Sequence, residues 1–190
     1  MMLDVVPSNL TGKMLIAMPG MADNRFSGSV VFLCAHSEDG AVGLIINKPV
    51  TEITFREMIE QLGIDAPRPP ELSVHFGGPI EPGRGFVLHS CDYAVRDATL
   101  QVNDCFAMTS TLDVLVDIAE RTGPENALLT LGYSSWAAGQ LEAEILHNGW
   151  LTCDAATALV FDDPDERKWE LALASIGVHP MALSSEAGHA

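Results

Sequence analysis

The sequence lacks the features that mark membrane-bound, secreted and nucleic-acid-binding proteins. No apolar run approaches the roughly 20 residues that a transmembrane helix needs. Asp4, Pro7 and Asn9 interrupt the region where a signal peptide would carry its apolar segment. The chain has 10 Lys and Arg against 26 Asp and Glu, a formal net charge of −16. We therefore predict a cytoplasmic protein without membrane contact or direct nucleic-acid binding, because both anionic surfaces require clustered basic residues.

Motifs for metal, nucleotide and cofactor binding are also missing. The four cysteines form no C-x-x-C pair, and the six histidines form no i,i+2 or i,i+4 pair. Neither G-x-x-x-x-G-K-[ST] nor G-x-G-x-x-G occurs. The sequence therefore predicts no metal site, no cofactor and no recognisable catalytic residue, and the cysteines fit free thiols packed as small hydrophobes.

Residues 29–49 are the stretch around which the fold is expected to form. Two apolar runs, 30–34 and 42–46, flank the polar connector 36–40, a pattern typical of a β-hairpin. Neither run alternates between apolar and polar residues, which indicates a sheet covered on both faces. Because further strands and helices alternate along the chain, we expect an α+β fold, an α/β sandwich with a mixed, largely antiparallel sheet and about four helices.

Local signals predict several further elements. Thr54 and Glu57 have the spacing of a capping box at the start of a helix. A later helix is expected to turn Leu112, Leu115, Val116 and Ala119 toward the core. The sequence also predicts a turn over 132–139 and a short strand over 158–161. One domain should span residues 1–180, followed by a flexible tail at 181–190.

Three stretches offer weak chemical signals, each with a structural alternative. Residues 132–136 resemble a nucleophile elbow, but Trp136 stands where that turn requires glycine, so an ordinary turn is favoured. Gly77 and Gly78 have backbone N–H groups that suit an anion or simply a tight turn. Glu142 lies near Gln140 at the start of a predicted helix. It could form half of a polar pocket, or it could simply be a carboxylate that the helix dipole favours at that position.

Three longer segments carry a family resemblance: PGMADNRFSGSVVFLCAHSEDGAVGLIINKP (19–49), FGGPIEPGRGFVLHS (76–90) and LGYSSWAAGQLEAEILHNGWL (131–151). Together they resemble the bacterial YqgE/AlgH family. The resemblance implies a one-domain fold with a bent, mixed sheet. Members are mostly of unknown function, and some carry the label of transcriptional regulator. The motif positions that it marks as candidate ligand-binding residues are Asn47, Lys48, Gly77, Gly78, His89, Trp136, Gln140 and Glu142.

Two functional hypotheses follow. The first is a non-enzymatic binding or regulatory protein whose partner is a protein or a small molecule and whose effect on transcription is indirect. The second is an unrecognised enzyme or small-molecule sensor whose polar site joins His89, Gln140 and Glu142. The second requires these three side chains to lie within hydrogen-bonding reach of one ligand.

Overall fold

The computed structural model describes residues 6–186, which form one sheet of nine strands with helices on both faces. The strands are β1 (Lys13–Ala17), β2 (Val30–Ser37), β3 (Gly40–Ile45), β4 (Val74–Phe76), β5 (Ile80–Ser90), β6 (Thr99–Gln101), β7 (Phe106–Thr109), β8 (Ala127–Ala137) and β9 (Trp150–Asp154). The helices are α1 (Phe55–Gln61), α2 (Leu112–Ala119), α3 (Gln140–Leu146), α4 (Thr157–Phe161), α5 (Asp165–Ser175) and α6 (Pro180–Glu186).

The strand order is β6-β7-β5-β8-β3-β2-β1-β9, with β4 added alongside β8. The β4–β8 pair is parallel and the other strand pairs are antiparallel. The predicted α+β fold with a mixed, largely antiparallel sheet is therefore confirmed. The predicted hairpin is β2–β3, and it lies in the middle of the sheet rather than at an edge.

The two faces of β2 explain why its sequence lacks polar alternation. Val30, Phe32 and Cys34 pack in one core cluster with residues of α4 and α5. Val31 and Leu33 point the other way, into a second cluster that includes α3 and the tryptophans of β8 and β9. A third cluster lies between α1, α2 and the β5–β8 half of the sheet. Because both faces are covered, successive residues of β2 are apolar.

The α1 helix begins as predicted. The Thr54 hydroxyl accepts a hydrogen bond from the Glu57 backbone N–H at 3.1 Å, and the Glu57 carboxylate accepts one from the Thr54 backbone N–H at 2.9 Å. Phe55, Met58 and Ile59 are the buried side chains of this helix. The capping box therefore fixes both the start of α1 and the face that it turns inward.

The predicted turn over 132–139 is wrong, because β8 continues through most of it to Ala137. Gly132 has a φ of 74°, and a Cβ there would lie 2.3 Å from the Gly78 carbonyl oxygen. This glycine distorts the strand without ending it. Before Gly132, β8 pairs with β5; after it, Tyr133 still pairs with Ile80 of β5, and residues 134–137 pair with β3. Ser134 is buried within this strand and its hydroxyl donates to the Gly77 carbonyl, which is incompatible with an exposed nucleophile elbow.

Two other local predictions need correction. Residues 158–161 lie in helix α4 rather than in a strand, since an apolar run this short fits either structure. In α2, the buried side chains are Val114, Leu115, Ile118 and Ala119, and Leu112 is 55% exposed. Residues 181–186 lie in helix α6, within the segment expected to be a flexible tail, while 187–190 fall outside the described residues.

Across residues 6–186, no helix is long and apolar enough to cross a membrane.

Candidate functional site

Two tryptophan side chains converge on one carboxylate. Trp136 near the end of β8 and Trp150 at the start of β9 each donate an indole N–H to Oε2 of Glu144, at 2.8 and 2.9 Å. The other carboxylate oxygen, Oε1, accepts from the Gln140 side-chain amide at 3.1 Å. Gln140 and Glu144 lie one turn apart on α3, so both side chains reach the same spot. Glu144 is therefore oriented by three donors.

The rings of Phe26, Trp136 and Trp150 form an aromatic cluster beside the Glu144 carboxylate. The Phe26 ring lies 6.2 Å from Trp136 and 5.7 Å from Trp150, and the two tryptophan rings are 6.0 Å apart between centroids. Trp136 and Trp150 are 5% and 2% exposed, whereas Phe26 is half-buried. The tryptophans thus belong to the core, and Phe26 closes the cluster toward solvent.

A cavity of about 340 Å³ opens over this cluster, which we call the tryptophan pocket. Its walls combine aromatic and apolar surface with a few charged and polar groups. It is lined by Met21, Asp23, Arg25, Phe26, Pro79, Ile80, Ser135, Trp136, Gln140, Glu144 and Trp150. Concave surfaces that combine apolar area with oriented polar groups are typical of small-molecule sites.

The predicted site residues Asn47 and Lys48 position one wall of the tryptophan pocket. The Asn47 side chain accepts from the Val30 N–H at 2.9 Å and donates to the Gly28 carbonyl at 2.9 Å. The Lys48 ammonium donates to the Arg25 carbonyl at 2.9 Å. These bonds tie down the 3-10 turn Asn24–Phe26 and with it the Phe26 ring. Both side chains therefore hold the position of this segment.

The charged side chains of Arg25 and Asp23, which line the tryptophan pocket, pair with each other. Arg25 and Asp23 form an ion pair at 2.7 Å, and hydrogen bonds from the Arg25 side chain and backbone lower the pKa of Asp23. Partial burial lowers the pKa of Lys48, an effect that the nearby Asp23 carboxylate opposes. Asp23 is thus held as a carboxylate at the rim of the tryptophan pocket.

Gly77 and Gly78 allow backbone strands to approach closely. A Cβ would lie 2.3 Å from the Gly132 oxygen at Gly77 and 2.2 Å from the Tyr133 backbone at Gly78. The Gly77 N–H donates to the Leu131 carbonyl at 2.8 Å, and its carbonyl accepts from Ile45 at 2.9 Å. These groups are therefore engaged within the sheet. The two glycines lead directly into Pro79 and Ile80, which line the tryptophan pocket.

Glu142 belongs to a different arrangement from the one expected. It contacts His36, with Nε2 and Oε1 2.5 Å apart, while Nδ1 of His36 accepts from the Leu10 N–H at 2.8 Å. Because Nδ1 is an acceptor, Nε2 carries the proton and donates to Glu142. Burial raises the pKa of Glu142, but its backbone N–H and the His36 ring outweigh that effect and lower it. Glu144, two residues on, takes the place beside Trp136 and Gln140.

His89 lies at the far end of the sheet. It is fully buried; its Nδ1 donates to the Ser90 carbonyl, and its Nε2 accepts from the Thr109 hydroxyl, both at 2.8 Å. Burial lowers its pKa. His89 pairs with Ala127, nine residues before Trp136 on β8, which corresponds to about 30 Å of extended strand. His89 therefore cannot share a pocket with Gln140 or Glu142, and the expected three-residue site does not form.

The structure also contains a buried charged cluster that sequence reasoning missed. His75 of β4 contacts Asp165 of α5 at 2.9 Å, and Lys168 contacts the other oxygen of Asp165, also at 2.9 Å. Lys168 is almost fully buried and also donates to the Ile46 and Val160 carbonyls. The helical spacing of Asp165 and Lys168 was visible in the sequence, but His75 is 90 residues away. Within residues 6–186, no group of three or more His, Cys, Asp or Glu side chains is arranged to hold a metal ion.

Comparison with known proteins places this architecture in a family. The AlgH-like family model matches residues 14–181. The chain belongs to the AlgH-like family. Among its AlgH-like relatives, a UPF0301 protein of Jannaschia sp. (strain CCS1) is 59% identical over 186 residues, covering 96% of each chain. A UPF0301 protein of Paracoccus denitrificans is 51% identical over 186 residues, covering 96% of this chain and 98% of the relative.

Solved structures agree with this AlgH-like assignment. The solution structure of the AlgH protein from Pseudomonas aeruginosa superposes with a TM-score of 0.79 at 44% identity and covers 100% of both chains. The crystal structure of protein DIP2367 from Corynebacterium diphtheriae gives a TM-score of 0.70 at 21% identity, covering 90% of this chain and 88% of the other. The second likeness concerns the fold alone.

Proposed function

We propose that this AlgH-like chain is a non-enzymatic binding protein and that the tryptophan pocket is its ligand site. The observation that carries the proposal is the fixed Glu144 carboxylate, held by both indole N–H groups and the Gln140 amide. A carboxylate immobilised by three donors presents its oxygens in a fixed position. Such an acceptor suits recognition more than it suits a proton shuttle, which must exchange its proton and partners during a reaction.

The remaining acceptor capacity points to a ligand with a donor group. A carboxylate offers about four lone-pair sites, of which the protein fills three. One site is left for an N–H or ammonium group, and the aromatic faces of Phe26 and Trp136 favour a cation over a neutral group. The formal charge of −16 attracts cations to the surface as a whole. We infer a ligand with a positively charged or N–H-bearing end and an apolar body.

A regulatory role would act through such binding rather than through DNA. We propose a cytoplasmic protein that affects transcription indirectly, by binding a protein or small molecule. The supporting observation is charge, because counterion release from duplex DNA requires clustered basic residues. We expect no duplex binding at physiological salt. A gel-shift titration that gives sub-micromolar, salt-sensitive affinity would contradict this part of the proposal.

The ligand class can be tested by NMR titration of the 15N-labelled protein. The probe is Nα-acetyl-lysine methylamide, and the matched neutral probe is Nα-acetyl-norleucine methylamide, which has a similar apolar chain without the ammonium. We expect the lysine probe to shift the indole N–H signals of Trp136 and Trp150 at millimolar concentration. The Trp169 indole, which donates to the Ala17 carbonyl on the opposite face of the sheet, should not move.

Two glutamate variants distinguish binding at Glu144 from a general effect of the protein's negative charge. Glu144→Gln should weaken the response to the lysine probe about tenfold, since it removes the charge that the ammonium would contact. Glu170→Gln removes one charge from an exposed position on α5 and should leave the titration unchanged. Equal responses to both probes, or to both variants, would refute a cation site at Glu144.

A further inference from the structure

Two exposed cysteines flank the last residue pair of the β5–β7 ladder, at one end of the sheet. In the antiparallel β5–β7 ladder, His89 pairs with Ala107 and Ser90 with Phe106. The ladder ends at this pair: Cys91 directly follows Ser90, and Cys105 directly precedes Phe106. Both residues are exposed, in contrast to the buried Cys34 and Cys153. Ser90 and Phe106 are directly opposed, and such residues have Cα atoms about 4.5–5.5 Å apart. The two cysteines therefore leave the ladder from neighbouring points, and a disulfide takes a Cα separation of about 4.4–6.8 Å.

Side-chain contacts support this juxtaposition independently of the register. The Cys91 thiol contacts the Asn103 carbonyl at 3.4 Å, and Asn103 lies in the turn that carries Cys105. The Asn103 side chain in turn accepts from the Cys105 N–H at 2.9 Å, which fixes that turn. Burial raises the pKa of Cys91, and the nearby Cys105 thiol adds to the effect. The two thiols are therefore electrostatic neighbours on an ordered part of the surface.

We propose that Cys91 and Cys105 form a redox-responsive dithiol that closes to an intramolecular disulfide when the protein meets a low-molecular-weight disulfide. This modification site lies where the β5–β7 ladder ends, two residues beyond His89 and away from the tryptophan pocket. It is independent of the proposed ligand site. It gives this chain a reversible cross-link between the end of β5 and the β6–β7 turn.

The exchange takes place in two balanced steps. The thiolate of Cys105 attacks one sulfur of the small disulfide, forming a mixed disulfide and releasing one small thiolate. Cys91 then loses its proton to solvent and attacks the Cys105 sulfur, releasing the second small thiolate. The protein is oxidised by two electrons and the small disulfide is reduced to two thiols. The raised pKa of Cys91 reduces the thiolate fraction of that thiol, so we assign the resolving step to Cys91.

The experiment treats the full chain with excess glutathione disulfide near pH 8, followed by alkylation, trypsin and mass spectrometry. Arg96 lies between the two cysteines, so trypsin separates them into peptides 85–96 and 97–121. We expect these peptides to be recovered joined, with the loss of two hydrogens and no retained glutathione. Recovery of both peptides alkylated, or of disulfide-linked dimers, would overturn the proposal.

Single variants test the order of steps and the pairing. Cys91→Ser lacks the resolving thiol and should retain one glutathione on Cys105. Cys34 and Cys153 serve as internal controls, because burial raises their pKa values to about 12 and about 11 and keeps the thiols protonated. Phenylarsine oxide, which bridges close dithiols, should bind the reduced protein one to one and lose that binding in either single variant. Unchanged binding in both single variants would also refute the pairing.

Discussion

Replacing Asp165 by asparagine tests the buried charged cluster that joins α5 to the sheet. Asp165 accepts from Lys168 at 2.9 Å and contacts His75 Nε2 at 2.9 Å. Nδ1 of His75 donates to the Leu129 carbonyl at 3.2 Å, so the histidine bridges β8 and α5. Asparagine has nearly the same shape but no charge. The Asp165→Asn variant therefore leaves the Lys168 ammonium buried with two carbonyl partners and without its counter-charge.

The size of the effect follows from burial. The Lys168 side chain is 3% exposed and that of Asp165 is 19% exposed. Breaking a buried ion pair by neutralising one partner costs about 3–5 kcal/mol. Because solvent reaches Asp165, we expect the lower end, a loss of about 3 kcal/mol in the free energy of unfolding. For a chain of this length, that loss corresponds to a fall in Tm of about 6–12 °C.

The pH dependence provides a second, independent signature. Burial raises the pKa of Asp165, but the hydrogen bonds and charges of His75 and Lys168 outweigh it and lower the pKa below its ordinary value of 3.8. The unfolded chain therefore takes up the proton first as the pH falls. The stability contributed by Asp165 is present above its ordinary pKa and is lost as pH falls toward the folded-state value. The Asn variant should lose less stability than the wild type below about pH 4.

Urea denaturation from pH 7 down to pH 3 measures both quantities. Asp162→Asn is the matched control, because Asp162 is exposed and lies three residues earlier in the chain. We expect that control to change the free energy of unfolding by less than about 0.5 kcal/mol. A loss in Asp165→Asn below about 1 kcal/mol, the range of surface pairs, would refute the argument. A pH profile parallel to that of the wild type would refute it as well.

Two further substitutions test the close backbone approach and the helix start. Gly78→Ala should lower the free energy of unfolding by about 3 kcal/mol or prevent folding, because its Cβ would lie 2.2 Å from the Tyr133 backbone. The assay is thermal unfolding. Gly83→Ala is the control, because a Cβ at Gly83 would meet open space. Thr54→Ala should cost about 1 kcal/mol in urea denaturation by removing the cap of α1, and an unchanged midpoint would show that the capping box adds no stability.

Local sequence patterns predicted the elements that are stabilised by contacts between residues close in sequence. The β2–β3 hairpin followed from two β-branched runs around a polar connector, and the start of α1 followed from the spacing of Thr54 and Glu57. In both cases the interacting residues are close in sequence. The covering of both faces of β2 was also predictable, since a strand without polar residues can be stable only when buried on both sides.

The failures arose where distant parts of the chain decide the structure. A glycine and two serines in 132–135 indicate a turn, but β3 and β5 supply hydrogen-bond partners that keep β8 extended. The joint site with His89 failed because strand pairing separates the two ends of β8. Glu142 was the predicted carboxylate of the polar pocket, but Glu144 is the one that contacts the tryptophans. The choice between them depends on where Trp150 and His36 lie, which local periodicity does not specify.

The most direct test of the tryptophan pocket is the 15N–1H spectrum of the indole groups in wild type and Glu144→Gln. If one carboxylate oxygen accepts from both indoles, the single substitution should shift the Trp136 and Trp150 signals together and speed hydrogen exchange at both. The Trp169 signal should stay in place. Movement of one indole signal without the other would contradict the shared carboxylate.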